Sequence, residues 1–208
     1  KRETFEVLHL DSIVTDQTLL NATFENYVVT EQEEIDNKKL AMEYYEHLLN
    51  GYSFNIVIQG AAGVGKSHLA YSILNELNNS KKGISCLFVA IDEMYRRIRS
   101  TFRNKESKYT EEYFINLLSK VDYLVIDDLG AETGSISTDK EATDFVQRIL
   151  YAVFNARQNK ATIITTNLSG KSLQTTYDSK TVSRMLKHKK FIFFKNTSDK
   201  RKISDLPF

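Results

Sequence analysis

Gly60-Ala61-Ala62-Gly63-Val64-Gly65-Lys66-Ser67 decides the fold. It meets the pattern GxxxxGK[ST], in which glycines let the backbone curl so that successive N–H groups point inward at phosphate oxygens. The apolar run Phe54–Gln59 before it reads as a buried strand, and Lys66–Leu77 after it reads as a helix ended by Asn78-Asn79. A helix placed there aims the positive end of its dipole at the same anion. Lys66 then reaches the β- and γ-phosphates and the Ser67 hydroxyl binds Mg²⁺. The competing reading is a chance glycine turn; strand, spacing and helix agree against it.

Working outward, Tyr123–Ile126 is wholly apolar and ends in Asp127-Asp128. In a parallel sheet, strand carboxyl ends share one edge, so these acids fall beside the phosphate loop. Asp127 is placed to hold Mg²⁺ directly or through a water, and Asp128 to polarise the attacking water. An isolated Asp-Asp pair is more often an exposed turn; the strand and the loop reverse that preference. Thr165-Thr166-Asn167 closes another apolar strand, Ala161–Thr166. Asn167 can orient a water against the γ-phosphate, although an Asn after a strand usually just starts a turn.

The remaining periodicity gives helices at residues 32–49, Asp92–Phe102, Glu111–Leu118, Lys140–Gln158 and Ser179–Leu186, with further strands at Ile84–Ala90 and Lys190–Phe194. Strands alternating with helices predict an α/β fold with a parallel five-stranded sheet sandwiched by helices. Residues 1–23 lack a strong period and read as an arm, with 24–208 as the ATP-binding domain.

The 208 residues suit one α/β domain, and 41% apolar content is enough for a core. Net charge is +1, so a nucleic-acid site must come from a local cluster. The single cysteine, Cys86, excludes a disulfide framework, which suits a cytoplasmic protein. No apolar stretch approaches the roughly 20 residues that span a bilayer, so no membrane partner is expected.

Residues Met94 to Arg103 combine Arg96, Arg97, Arg99 and Arg103 with two aromatics. The arginines can neutralise phosphates, and Phe102 or Tyr95 can stack on unpaired bases. The alternative is a solvated amphipathic helix with Met94, Ile98 and Phe102 in the core. Lys187-His188-Lys189-Lys190 is a second basic cluster that reads as solvated edge charge. Arg184 is either an arginine finger acting in trans or a surface helical arginine.

Further landmarks are Ala22-Thr-Phe-Glu-Asn-Tyr27, His68-Leu69-Ala70, Asn75-Glu76-Leu77, Ser100-Thr-Phe-Arg-Asn104 and Leu118 to Gly130, of which Phe-Glu-Asn-Tyr and Thr-Phe-Arg-Asn lie outside a generic phosphate-loop signature. With them the chain resembles the AAA+ replicative helicase loaders of the DnaC/DnaI type, with IstB-type transposition helpers as close relatives, from about Ala22 to Arg201. The resemblance implies a P-loop NTPase of the AAA+ class without a C-terminal lid domain. It implies nucleotide on Gly60 through Ser67, with His68 beside them, metal on Ser67 and Asp127, and catalysis by Asp128, Asn167 and Arg184. Arg201 looks like a later sensor arginine, though the spacing there needs an inserted residue. Single-stranded DNA is expected at Arg99, Phe102 and Arg103. The implied cofactors are ATP and Mg²⁺; the implied partners are a hexameric replicative helicase, single-stranded DNA and further copies of the chain. The implied function is ATP-dependent helicase loading, with transposition help on duplex DNA as the alternative. Asp128 stands where many AAA+ enzymes have Glu, so hydrolysis is expected to be slow and DNA-stimulated. Residues 1–21 are too short for the helicase-gripping module of such loaders, and the chain starts at Lys1 rather than Met. It is therefore either an ATPase fragment or a protein that meets its helicase differently.

Overall fold

Period-2 alternation in the strands is what lets one sheet carry two cores. In the computed structural model, which describes residues 4–80, 82–104, 106–133 and 142–200, the strands are β1 (Asn55–Gly60), β2 (Cys86–Ala90), β3 (Tyr123–Leu129), β4 (Thr162–Thr166) and β5 (Lys189–Phe194). Ile56, Ile58, Val125 and Ile163 face one core cluster, and Val57, Leu124, Ile126 and Ile164 face the other. The first cluster is covered by α1 (Glu6–Leu10), α2 (Gln32–Leu49) and α3 (Lys66–Asn79). The second is covered by α4 (Ile91–Thr101), α5 (Glu111–Lys120), α6 (Asp144–Ala156), α7 (Gly170–Thr176) and α8 (Ser179–Met185). Helix on sheet on helix is the expected three-layer sandwich.

All neighbouring strands pair in parallel, in the order β2-β3-β4-β1-β5. The chain leaves β1 through α3 for the far edge, returns through β3 and β4, then crosses β1 to reach β5. Ligands of open parallel sheets bind at such a reversal, outside the strand carboxyl ends. Gly60, Asp127-Asp128 and Thr166-Asn167 all lie at that edge.

Both sheet edges are blunted, as an unpaired strand edge invites association. Ile13 bridges β2 in parallel: its N–H donates to Phe88 O and its carbonyl accepts from Ala90 N, each at 2.8 Å. Residues read as an arm therefore pack on the domain, with Leu8 and Ile13 almost fully buried. On the other edge, α2 covers β5: Asn37 Nδ2 donates to Phe193 O at 2.8 Å and Tyr44 Oη to Phe191 O at 3.3 Å. Arg157 ties the opposite end of the sheet. The residue is 2% exposed, and its guanidinium donates to Thr162 Oγ1 and to the carbonyls of Leu118, Val121, Asp122 and Ala161.

Two local readings are corrected. The helix α7, capped by Ser169, which accepts from Ser172 N, was not expected. The helix expected over Lys140–Gln158 runs from Asp144, capped by Thr143, while residues 134–141 lie outside the described chain. Among the described residues no helix is long and apolar enough to cross a membrane.

Candidate nucleotide site and nucleic-acid interface

Left-handed backbone at Gly63 (φ +76°) and Gly65 (φ +97°) shapes the loop between β1 and α3. A side chain at Gly65 would also bring its Cβ within 2.9 Å of the Tyr27 ring, so glycine is required there twice over. Val64 is fully buried and anchors the loop, whereas Ala61 and Ala62 are exposed at its crest. Lys66 folds back: its Nζ donates to Ala61 O at 2.6 Å and to Asn167 Oδ1 at 2.7 Å. The loop lysine and the asparagine at the end of β4, 101 residues apart, thus meet directly.

The acids divide their environments. Asp127 is 8% exposed and accepts from Thr165 Oγ1 at 2.7 Å and from the Ser67 hydroxyl. Burial pushes its carboxyl up to about 6, against those two hydrogen bonds, which lower it. Asp128 is exposed, because the β3–β4 register shifts between Ile126 and Leu129 and its backbone turns left-handed at φ +62°. Among non-glycine residues, Asp is one of the few that tolerate this region, and such strain clusters at functional sites. Thr165 Oγ1 serves both acids, since it also accepts Asp128 N–H at 2.8 Å.

These groups enclose a cavity of about 310 Å³, lined by Ala62, Gly63, Gly65, Lys66, Ser67, His68, Asp128 and Asn167, together with Asp16, Thr18, Leu19 and Lys200. A second cavity of about 530 Å³ adjoins it, sharing Gly65, His68 and Lys200 and adding Tyr27, Val28, Thr30, Glu34 and Asp199. His68 is a partner of its wall: Nε2 lies 2.9 Å from Thr23 O and the ring packs edge-on against Tyr27. Burial, with the nearby Lys200 and Lys38 charges, lowers its basicity against the Thr23 hydrogen bond.

Sequence reasoning missed the strap of residues 195–200 that closes this second cavity. Glu33, in the first turn of α2, accepts from the N–H groups of Lys195, Asn196 and Thr197 and from Thr197 Oγ1. Lys200 N donates to Gly63 O at 2.9 Å, and Lys200 Nζ reaches Glu34 Oε1 at 2.7 Å while lying 4.1 Å from the Tyr27 ring centroid. Burial opposes ionisation of Glu34, but Lys200, Thr30 and the Glu31 N–H outweigh it and hold its carboxyl at about 2. The only sequence signal was Tyr27, quoted above without a role.

The residues fit a Mg²⁺–nucleotide. Among the described residues no three His, Cys, Asp or Glu side chains converge as a metal cage. A carboxylate and a hydroxyl, Asp127 and Ser67, meet instead. One or two protein oxygens completed by substrate phosphates are how Mg²⁺ is usually held.

The other candidate residues lie elsewhere. Arg184, in α8, is not among the residues lining the cavity: its Nε donates to Asn155 Oδ1 at 2.9 Å and its guanidinium covers the Tyr151 ring. Arg201 lies outside the described residues. On α4, Met94, Tyr95 and Ile98 are buried, so Tyr95 is corrected from a stacking candidate to a core residue whose hydroxyl donates to Val146 O. Phe102 caps the helix instead of joining the core; it is 69% exposed, with its ring 6.0 Å from Phe145. Arg96 and Arg97 pair with Glu93, whereas Arg99 and Arg103 are exposed and pair with no described carboxylate.

The sequence model of the IstB-like ATP binding protein family matches residues 12–205. The chain is 37% identical over 115 residues to the replicative helicase loader DnaC of Escherichia coli (strain K12), covering 55% of this chain and 45% of that protein. It is 31% identical over 166 residues to the loader of the same name from Buchnera aphidicola subsp. Baizongia pistaciae, covering 80% and 63%. It thus spans between about half and under two thirds of these relatives. In fold it is similar to a crystal structure of the DnaC helicase loader, with TM-score 0.68 at 20% identity over 86% of this chain and 99% of that one. A DnaI structure superposes with TM-score 0.64 at 21% identity, over 88% and 96%. Cavity, sheet order and sequence agree: the chain has the AAA+ P-loop fold of the DnaC and DnaI structures and belongs to the IstB-like ATP binding protein family.

Proposed function

We propose that the chain binds ATP with Mg²⁺ across the two adjoining cavities, hydrolyses it slowly, and uses the cycle to help load a hexameric replicative helicase onto single-stranded DNA. The observation that carries the ATPase reading is the convergence of Lys66, Ser67, Asp128 and Asn167 on one cavity, with Ser67 hydrogen-bonded to the buried Asp127. The loop N–H groups and Lys66 bind the phosphates, with Lys66 exchanging Ala61 O and Asn167 for phosphate oxygens. Ser67 and Asp127 hold Mg²⁺, which when bound neutralises developing phosphate charge. Asn167, released by Lys66, orients the water, and Asp128 takes its proton. The base lies in the larger cavity beside Tyr27. Arg184 acts on a neighbouring copy's nucleotide, which makes the oligomer ATP-dependent.

Arg99, Arg103 and Phe102 form the DNA contact: two cations without a described ion-pair partner beside an exposed ring suit phosphates and an unstacked base. The helicase partner is supported by the names of the DnaC relatives. A second reading, a transposition helper on duplex DNA, rests on the resemblance to IstB-type helpers, in keeping with the match to the IstB-like ATP binding protein family.

The test is fluorescence anisotropy of labelled single-stranded and duplex oligonucleotides, with and without ATP–Mg²⁺, for wild type, Lys66→Ala and the Arg99→Ala/Phe102→Ala double variant. The loader reading expects an ATP-dependent preference for single strands, lost in both variants. Preference for duplex supports the transposition helper, and binding to neither removes the DNA role.

A further inference from the structure

A buried acid stands directly behind the strand end that carries Asp128. Glu132 is 6% exposed, in a short 3-10 turn at Ala131–Thr133. Its carboxylate has partners on two segments far apart in sequence. Oε2 accepts Gly130 N–H at 2.9 Å, and Oε1 accepts the hydroxyl of Tyr177. Tyr177 is itself 2% exposed and joins α7 to α8, immediately before Asp178, whose side chain caps α8. The turn also packs against α4, where Tyr95 feels the Glu132 charge.

A buried carboxylate is costly, and an apolar residue of similar volume is often at least as stabilising. Burial raises the Glu132 carboxyl above its ordinary range, so the fold holds it there against a real penalty. Its location indicates a use. Asp128 at φ +62° and Gly130 at φ +109° carry the chain off the β3 ladder. The Asp128 N–H is held by Thr165 on β4, and the Gly130 N–H is held by Glu132. The turn is thus anchored at Asp128 itself and two residues on, and Asp128 lines the cavity. Through Tyr177 the second anchor also reaches the root of α8, the helix of Arg184.

We propose that Glu132 is a positioning residue: it fixes the left-handed turn that presents Asp128 to the reacting water, and through Tyr177 it ties that turn to the helix carrying Arg184. This rests on the ATPase reading above. Glu132 touches neither nucleotide nor water in this scheme, so its loss alters turnover and spares affinity.

The test compares wild type, Glu132→Gln, Tyr177→Phe and the double variant. Three quantities are read: thermal midpoint, affinity for a non-hydrolysable ATP analogue, and phosphate release with saturating ATP–Mg²⁺ and single-stranded DNA. Gln can still accept from Gly130 N–H but cannot accept from Tyr177 with the same oxygen. Each single variant is expected to lose turnover about tenfold or more with analogue affinity within about twofold, and the double variant to be no worse than the poorer single one. Unchanged turnover in a folded variant overturns the proposal, as does a loss shared equally by affinity and turnover in step with the melting shift. A wild-type chain that releases no phosphate sinks the ATPase reading and this inference together. Normal wild-type turnover with unaltered variants sinks this inference alone.

Discussion

Replacing Thr165 by Val separates the chemistry of one hydroxyl from its packing. The two side chains have nearly the same shape, so no cavity opens, but Val can neither donate nor accept. Thr165 Oγ1 donates to Asp127 Oδ1 at 2.7 Å and accepts Asp128 N–H at 2.8 Å. A hydrogen bond to a charged group contributes about 1.5–3 kcal/mol and a neutral one about 0.5–1.5 kcal/mol. Thr165 is fully buried and Asp127 is 8% exposed, so water replaces neither bond cheaply. The sum is about 2–4.5 kcal/mol, which for a domain of this size lowers the thermal midpoint by roughly 4–18 °C. Turnover should fall further than folded fraction allows: an Asp128 no longer held in its left-handed turn loses its aim, and about 1.4–2.8 kcal/mol of lost positioning is roughly 10- to 100-fold in rate. Differential scanning fluorimetry and a phosphate-release assay, both run well below the lowered midpoint, read the two effects separately. Thr165→Ser, which keeps the hydroxyl, should restore most of the turnover. A Thr165→Val chain with wild-type melting and wild-type turnover would refute the claim that this hydroxyl organises both acids.

Three further outcomes follow from the same geometry. Arg157→Met should destabilise the chain by about 3–5 kcal/mol in chemical denaturation, because four carbonyls lose a buried charged donor; nucleotide affinity of the folded fraction should not change. Glu34 ionises at about 2 in the fold against an ordinary 4.5, so its contribution is complete above pH 4.5 and is lost as pH falls through about 2. Hydrogen-exchange protection at Lys200, taken relative to the intrinsic rate at each pH, should fall over that window in wild type, and Glu34→Gln should show lowered protection at Lys200 already at neutral pH. Arg184→Ala should keep nucleotide binding but lose hydrolysis, and mixing it with Lys66→Ala should recover part of the activity, since one chain then offers an intact pocket and the other an intact finger.

How far the sequence could be read depends on how local the physics is. The phosphate loop is contiguous, so eight residues carry its geometry, and Asp127, Asp128 and Asn167 could be placed because parallel strands deliver their carboxyl ends to one edge. The helix Gln32–Leu49 was legible because its period and its Asn50-Gly51 stop agree. Helix α7 was not, since seven residues rich in Thr and Ser give no period and rely on one Ser169 cap. Of the two aromatics offered for stacking, Tyr95 is taken into the core and Phe102 is left exposed, for a similar reason. The helix stops at Thr101, so Phe102 leaves the apolar stripe that carries Met94, Tyr95 and Ile98 into the core.

The strap shows where such reading ends. Glu33 and Glu34 sit in the first turn of α2, where local context accounts only for a favourable charge and for the capping box of Glu34 with Glu31. Beyond the Thr30 and Glu31 groups that Glu34 accepts from, their partners lie more than 160 residues away, on Lys195 to Lys200, and no periodicity records a contact at that separation. Yet this contact brings Tyr27, from ahead of the sheet, and Lys200, from beyond it, against the phosphate loop. The phosphate half of the site is thus encoded in one stretch, and the larger cavity is assembled from three. Substitutions at Glu33 or Glu34 should therefore act on how the base is held while leaving the Lys66, Asp127 and Asn167 constellation in place.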